Sequence, residues 1–106
     1  MVDSNTIKAE IDANPVMVFS KVYCPYCTQA KDLLKQGGVA FKAIELDQID
    51  NGNAMHSALK TYSGQNTVPN IYIAGKHVGG CSDLQAAHKN GQLKNMLNAA
   101  GIQHSF

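Results

Sequence analysis

The stretch Lys21–Cys27, which reads KVYCPYC, decides the fold of this chain. It follows a short apolar run, Val16–Phe19, and precedes a segment whose apolar residues repeat with helical spacing from Ala30 onward. This order predicts a buried strand, a tight turn and a helix that begins near Cys24. Pro25 suits the first helical position, because proline lacks the backbone N–H that would find no partner there.

The two cysteines of this stretch are placed for redox chemistry. Cys24 would face the unpaired N–H groups and the positive end of the helix dipole, an environment that stabilises a thiolate. A thiolate is the species that attacks a disulfide, and the nearby Lys21 adds positive charge. Cys27 lies one helical turn further along, so its sulfur can close a small ring with Cys24. The residues predict Cys24 as nucleophile and Cys27 as resolving thiol. The alternatives are a packed pair of thiols or half of a zinc site.

Length and composition limit the possible functions. The chain has 106 residues, of which 44% are hydrophobic, so we expect one domain over residues 1–106 with a modest core. The net charge is +1 and all nine basic residues are lysine, which argues against nucleic acid as the main partner. Three cysteines do not form the even set of a secreted disulfide framework. The polar start of the chain and the lack of a long apolar run predict no targeting segment and no membrane span. We therefore expect a reducing compartment, most simply the cytosol.

The rest of the chain predicts alternating strands and helices. Strands are expected at Val16–Phe19, Val39–Leu46, Asn70–Ile73 and Lys76–Val78. Helices are expected after caps at Ser4 or Asn5, at Cys24, at Asp50 or Asn51 and at Ser82, with a last helix around Leu93–Ala100. A helix between the first two strands predicts that they are parallel, and Ala74-Gly75 predicts a hairpin between the last two. The expected fold is α/β, with a four-stranded mixed sheet and helices on both faces.

Three motifs together resemble the dithiol glutaredoxin family: Cys24–Cys27, Thr67–Pro69 and Gly79–Asp83. They occur in the family's order at sensible spacing, and the resemblance covers nearly the whole chain. It implies a thioredoxin-like fold and the activity of a glutathione-dependent thiol–disulfide oxidoreductase. Such an enzyme reduces protein–glutathione mixed disulfides and protein disulfides, here through a Cys24/Cys27 redox pair.

The resemblance also implies a glutathione site. From the residues alone, Thr67–Pro69 is typical of the start of an edge strand with a trans proline, and Gly79–Asp83 of a turn with a helix cap. In the family this proline is cis and lies against the CxxC turn, and the residue before it binds an extended peptide through its backbone. The implied contacts of glutathione are Lys21, Tyr26, Gln65, Thr67, Val68, Pro69, Cys81, Ser82 and Asp83. Lys21 and Gln65 would bind the glycine carboxylate, and Asp83 would pair with the γ-glutamyl ammonium.

Two further residues near the expected glutathione site are Cys81 and Asn66. By the resemblance, Ser82 and Cys81 would donate backbone N–H groups to the γ-glutamyl carboxylate. The Cys81 thiol itself either fills the turn as a small apolar group or forms an extra glutathionylation or dimer-disulfide site. Asn66 stands where many glutaredoxins carry a basic residue, which would leave Lys21 more of the charge for the glycine carboxylate.

Two other functions compete with this interpretation. A thioredoxin-like reductase independent of glutathione is the nearer one, but thioredoxins usually carry Trp-Cys-Gly-Pro-Cys and this chain has no tryptophan. The other is a metal-binding module in which Cys24 holds an iron–sulfur cluster across a glutathione-linked dimer, and Pro25 argues against it by stiffening the turn. We expect a monomer that uses glutathione as co-substrate, with no metal, no nucleic acid and no membrane partner. Its partners would be glutathionylated and disulfide-containing proteins, with glutathione reductase and NADPH acting indirectly.

Overall fold

A four-stranded sheet flanked by helices forms the framework of the computed structural model, which describes residues 2–106. The helices are α1 (Ser4–Ala13), α2 (Pro25–Gln36), α3 (Gly52–Ser63), α4 (Cys81–Lys89) and α5 (Gln92–Ala99). The strands are β1 (Val16–Ser20), β2 (Lys42–Glu45), β3 (Asn70–Ile73) and β4 (Lys76–Gly79). None of the helices within residues 2–106 has the length and apolarity needed to cross a membrane.

The strands lie in the order β2-β1-β3-β4, which makes β1 a central strand and places β2 and β4 at the edges. β1 pairs in parallel with β2 and antiparallel with β3, and β3 pairs antiparallel with β4. The predicted mixed sheet is therefore confirmed. The hairpin between β3 and β4 turns at Ala74 and Gly75, whose φ angles of +50° and +79° are those of a tight hairpin turn.

Side chains of β1 alternate between two hydrophobic clusters, one on each face of the sheet. Val16 and Val18 pack with α2, α4 and α5, in a cluster that includes Leu34 and Leu84. Met17 and Phe19 pack with α1 and α3 on the opposite face. All five residues of β1 are buried, as its unbroken apolar run predicts for a strand covered on both sides.

The central strand positions the CxxC turn. β1 ends at Ser20, and the chain then turns through residues 21–24 into α2, whose first residue is Pro25 and whose cap is Cys24. α2 ends at Gln36 and is capped by Gly37, and Gly38 follows with a φ of +68°, the left-handed conformation predicted for this glycine pair. The predicted order of strand, turn and helix is therefore present at the end of a strand whose residues are all buried.

Two predicted helix caps are wrong. The cap of α1 is Asp3 rather than Ser4 or Asn5, because the Asp3 carboxylate accepts hydrogen bonds from the backbone N–H groups of Asn5 and Thr6. The cap of α4 is Gly80 rather than Ser82, since the chain is already helical from Cys81. At this helix an acidic side chain in the first turn satisfies the cap, as described below.

Two further local expectations are only partly met. α3 does follow Asn51, but the Asn51 side chain makes no capping hydrogen bond. The second strand occupies Lys42–Glu45, not the whole of Val39–Leu46. Val39, the first residue of the expected span, lies outside the strand and is instead bonded to the end of α2. Its N–H donates to the Leu34 carbonyl oxygen at 3.0 Å.

Candidate active site

Cys24 caps α2 and lies where the helix meets the loop before β3. Its Sγ accepts the Cys27 N–H at 3.3 Å, so one of the unpaired donors of the first turn points at the sulfur. The same sulfur lies 3.8 Å from the Val68 carbonyl oxygen. The side chain is half-buried, which leaves it open to a reagent. The predicted placement of Cys24 at the helix start is confirmed.

Cys27 lies one turn into α2 and is fully buried. Burial raises the pKa of its thiol to about 11, and the hydrogen bond and charge of Cys24 act in the same direction. A backbone hydrogen bond with Lys21 and a side-chain hydrogen bond with Ser20 oppose this rise. Cys27 is therefore a thiol at neutral pH while Cys24 is free.

Cys81 is the third thiol and it lies on the other side of the same site. Like Cys24 and Cys27 it is a free cysteine, and it is buried at the start of α4. Burial raises the pKa of its thiol, and the charge of Cys24 adds to the rise. Across residues 2–106, His, Cys, Asp and Glu side chains form no group of three or more that could hold a metal ion.

A groove with a volume of about 630 Å³ runs between α2, α4 and the loop before β3. Eight residues expected to contact glutathione line it: Tyr26, Gln65, Thr67, Val68, Pro69, Cys81, Ser82 and Asp83. Residues from three distant parts of the sequence are thus brought to one surface beside Cys24.

The loop before β3 forms one wall of the groove. The Val68–Pro69 peptide bond is cis, as the family resemblance implies and against the trans geometry favoured by the residues alone. Gln65 supports the loop from behind, because its side-chain amide donates to the carbonyl oxygens of Thr67 at 2.9 Å and Pro69 at 3.0 Å. Both amide hydrogens of Gln65 are thereby used inside the loop. A direct contact between Gln65 and a ligand carboxylate would require one of these bonds to break.

The start of α4 forms the opposite wall. Asp83 accepts a hydrogen bond from the Gly80 N–H through Oδ2 at 2.9 Å. A side chain at Gly79 would collide with this carboxylate, and the φ of +117° at Gly79 also favours glycine. The N–H groups of Cys81 and Ser82 belong to the first turn and lack intrahelical acceptors. Backbone donors and a carboxylate therefore stand side by side, an arrangement that complements the carboxylate and ammonium of an α-amino acid.

Lys21 does not line the groove with the other predicted residues. Its ammonium nitrogen lies 6.0 Å from the ring centroid of Tyr23, and its backbone carbonyl accepts the Cys24 N–H at 3.1 Å. In this structure Lys21 thus shapes the turn, and a contact of its side chain with a ligand stays a prediction.

Two groove residues were not expected from the sequence: Gln29 and Gln85. The Gln85 amide donates to Gln29 Oε1 at 3.4 Å, and the Cys81 thiol lies 3.9 Å from the same oxygen. Helical spacing could have found both, because Gln29 lies three residues after Tyr26 and Gln85 four residues after Cys81.

Comparisons with known proteins agree with this architecture. The family model described as "Glutaredoxin" matches residues 16–78. A glutaredoxin of Ricinus communis is 49% identical over 94 residues, which cover 89% of this chain and 92% of that protein. Glutaredoxin-1 of Rhizophagus irregularis is 53% identical over 89 residues, covering 84% of this chain and 88% of that protein. The crystal structure of a buckwheat glutaredoxin–glutathione complex superposes with a TM-score of 0.89 at 43% identity, and the match covers 92% of this chain and 89% of that one.

A mixed sheet with a CxxC turn at the end of its central strand defines a protein of thioredoxin-like fold with a dithiol site. Within that class, the chain belongs to the glutaredoxin family. Glutaredoxins are thiol–disulfide oxidoreductases that work with glutathione, and this is the activity of the chain.

Proposed function

We propose that Cys24 is the nucleophile of this enzyme and that the groove beside it binds glutathione. One observation carries the proposal, which is the position of Cys24 Sγ. It accepts the Cys27 N–H at the start of α2 and lies 3.8 Å from the carbonyl oxygen of Val68, which lines the groove. A thiolate at this point is stabilised by the helix start, and an extended substrate can pair with the Val68 backbone beside it.

Glutathione would lie along the groove with its γ-glutamyl end at α4. The backbone N–H groups of Cys81 and Ser82 would donate to its α-carboxylate, and Asp83 would pair with its ammonium. The cysteinyl unit would pair with the N–H and C=O of Val68, which brings its sulfur toward Cys24. The walls would be completed by Tyr26, Thr67 and Pro69.

The glycine end would lie toward Gln65 and Lys21. The Lys21 ammonium would need to leave the Tyr23 ring, a small movement for a long side chain. Gln65 would serve mainly by fixing the loop, given its two hydrogen bonds to Thr67 and Pro69.

The reaction with a glutathionylated protein needs only Cys24. Its thiolate attacks the glutathione sulfur, the protein thiolate leaves, and glutathione becomes bonded to Cys24. A second glutathione thiolate attacks this bond and departs as glutathione disulfide, which restores the Cys24 thiolate. The net exchange converts the glutathionylated protein and one free glutathione into the protein thiol and glutathione disulfide, and glutathione reductase with NADPH returns the glutathione disulfide to reduced glutathione.

A protein disulfide requires Cys27 as well. Cys24 forms a mixed disulfide with one substrate sulfur, and Cys27 then attacks Cys24 to release the substrate and leave a Cys24–Cys27 bond. Two of the influences that raise the pKa of Cys27 are the hydrogen bond and the charge of Cys24. Both are lost once the Cys24 sulfur is bonded to a substrate, so Cys27 becomes easier to deprotonate when its attack is required.

The proposal includes the setting of the enzyme. A cycle driven by reduced glutathione needs a reducing compartment, the cytosol in the simplest case, and protein substrates that carry mixed or internal disulfides. Residues 1–106 would act as one monomeric unit, because the groove, the thiols and both hydrophobic clusters come from one chain.

A coupled assay tests the proposal directly. The purified protein is supplied with a small glutathione mixed disulfide, glutathione, glutathione reductase and NADPH, and NADPH oxidation is followed. Cys24→Ser should abolish turnover, whereas Cys27→Ser should retain it and lose only the reduction of protein disulfides. If Cys27→Ser removed turnover as fully as Cys24→Ser, the assignment of roles would be wrong.

A further inference from the structure

A buried amide side chain lies at the start of β3, directly after the cis peptide bond of the groove. Asn70 follows Pro69 in the chain and is fully buried. Its side-chain amide donates to Ser63 Oγ at 3.0 Å, and its Oδ1 lies 3.0 Å from Nε2 of His77. A buried amide is costly unless it is paired, and a paired one holds its partners in a fixed arrangement.

The hydroxyl of Ser63 determines which way the Asn70 amide points. Its hydrogen goes to a carbonyl oxygen, that of Leu59 at 2.8 Å or that of Gln65 at 3.3 Å. Its oxygen accepts the Gln65 N–H at 3.0 Å, as well as the Asn70 amide. Since the only hydrogen of the hydroxyl is used, the Asn70 group that faces Ser63 is the N–H donor. Asn70 Oδ1 therefore faces His77, whose Nε2 carries the hydrogen of this bond.

One end of the Asn70 network, which consists of Ser63, Asn70 and His77, reaches the loop wall of the groove. Ser63 holds the backbone N–H of Gln65, and the Gln65 side chain donates to the carbonyl oxygens on both sides of Val68. The backbone of Val68, on which the cysteinyl unit of glutathione would lie, is therefore linked to the Asn70 amide through two hydrogen-bonded side chains.

The other end of the Asn70 network reaches the strand that leads to the opposite wall. His77 lies on β4 opposite Tyr72, and the two ring centroids are 5.0 Å apart, so the imidazole is held against the sheet. Two residues later β4 ends at Gly79, where the turn into α4 begins. The two walls are close here, since a Cβ on Gly80 would lie 3.7 Å from the Pro69 carbonyl oxygen. The hydrogen bond of His77 thus ties the strand of one wall to the residue that follows the loop of the other.

We propose that Asn70 is a positioning residue for glutathione, which acts with Ser63 and His77 to set the spacing of the two groove walls. This inference rests on the proposed function, in which glutathione extends from Val68 to the start of α4. The three residues of the network do not line the groove, so they act through the backbone of its walls. Their loss should weaken the capture of glutathione adducts without slowing the attack of Cys24 itself.

A purely structural network would have a different kinetic signature. If it only stabilised the fold, its loss would lower the free energy of unfolding and leave the KM of the folded protein unchanged. If it spaces the walls, each loss raises the KM for a glutathione mixed disulfide by about threefold to tenfold, the equivalent of one neutral hydrogen bond, at unchanged kcat.

The coupled assay tests this with His77→Ala and Ser63→Ala. His77 is exposed, so its replacement leaves the core intact. The matched control is His104→Ala, because Nε2 of His104 lies 2.7 Å from Asn98 Oδ1 in the same kind of pair, and neither residue lines the groove. Each test variant should show the raised KM, and the control should keep the parental value. His77→Gln, whose amide can also donate to Asn70, should return the KM toward that of the parent.

A double variant shows whether the effects pass through Asn70. Ser63 and His77 bind opposite ends of its amide, so His77→Ala should have little further effect on KM once Ser63 is alanine. Two fold-changes that multiplied in full would overturn the proposal, and so would a parental KM in both single variants.

A second probe separates a failure of the network from a failure of the proposed function. The attack of Cys24 on dithiobis(nitrobenzoate), a disulfide without a γ-glutamyl group, releases a coloured thiolate and should proceed at the parental rate in every variant. A slowed attack in His77→Ala would indicate a general distortion and overturn the positioning role. If the parent itself did not prefer a glutathione adduct to a disulfide without the γ-glutamyl group, the proposed function would fail, and this inference with it. A parental preference that His77→Ala and Ser63→Ala both retained in full would refute the network alone.

Discussion

Gln65 and Pro69 are joined by a hydrogen bond from the glutamine amide to the proline carbonyl oxygen, at 3.0 Å, across the loop that carries the cis peptide bond. The second amide hydrogen reaches Thr67 at 2.9 Å. One side chain therefore fixes the carbonyl groups on both sides of Val68, the residue whose backbone faces Cys24. The shape of the groove therefore depends on Gln65, a residue for which the family resemblance implies a contact with the glycine carboxylate of glutathione.

Gln65→Glu should raise the KM for glutathione mixed disulfides roughly threefold to tenfold, because a carboxylate cannot donate the two hydrogen bonds to the loop. The measurement compares a glutathione adduct with a γ-glutamylcysteine adduct, which lacks the glycine. Support of the loop predicts a similar loss with both substrates. A loss confined to the full glutathione adduct would show that Gln65 binds the glycine carboxylate directly.

Asp83→Asn should weaken the use of glutathione adducts by about 10- to 150-fold in kcat/KM, since a charge-assisted hydrogen bond to the γ-glutamyl ammonium is lost. Asparagine keeps an oxygen that can accept the Gly80 N–H, so the helix cap is preserved. A disulfide without a γ-glutamyl group is the control substrate and should be reduced at the parental rate. Equal losses on both substrates would leave Asp83 with the role of a cap alone.

Cys27 should make the stability of the reduced protein fall with pH. The pKa of its thiol is about 11 in the folded protein against an ordinary value of 9.0, so between these values the unfolded chain has lost the proton that the folded chain retains. The stabilisation is present below pH 9, declines as pH rises and is lost above pH 11. Urea unfolding of the reduced protein and of Cys27→Ser, at several pH values across this range, measures the difference. The contributions of the other titrating groups cancel when the two free energies of unfolding are subtracted. A difference in free energy that did not change with pH would contradict the raised pKa of Cys27.

Gly79→Ala should lower the stability of the folded protein by more than alanine does at another glycine with a positive φ. Its φ is +117° and its new Cβ would meet the Asp83 carboxylate, so about 1–3 kcal/mol of stability and much of the glutathione activity should be lost. Gly75→Ala is the matched control, because Gly75 also has a positive φ, +79°, but has nothing within 4 Å of a Cβ. Thermal unfolding and kcat/KM of both variants test this, and equal effects would show that the approach of Asp83 is unimportant.

The sequence predicts most of the fold because its signals are local. The unbroken apolar run of β1, the proline after Cys24 and the turn at Ala74-Gly75 each act within a few residues of one another. The predicted caps of α1 and α4 were wrong because local sequence does not select one cap. Several polar residues near each helix start can serve as cap, and the choice depends on backbone angles that the sequence does not display.

The site is harder to predict than the fold. The motifs identify the three segments that line the groove, but the contact between Asn70 and His77 depends on the register of two antiparallel strands. Lys21 and Gln65 also have several partners within reach. The structure places the Lys21 ammonium near the Tyr23 ring and bonds the Gln65 amide to the loop. Such contacts follow from three-dimensional packing and leave no periodic pattern in the chain.

The edges of the sheet influence which partners the protein can hold. Both outer strands, β2 and β4, have four residues, and each begins with an exposed lysine, Lys42 or Lys76. Short and charged edges resist the addition of a foreign strand, a step that leads to aggregation in proteins with long apolar edges. An unfolded or partly oxidised client therefore finds little backbone to pair with at these edges. In the binding mode proposed above, an extended segment would instead dock on the backbone of Val68, whose carbonyl oxygen lies 3.8 Å from Cys24 Sγ, the sulfur proposed to react with it.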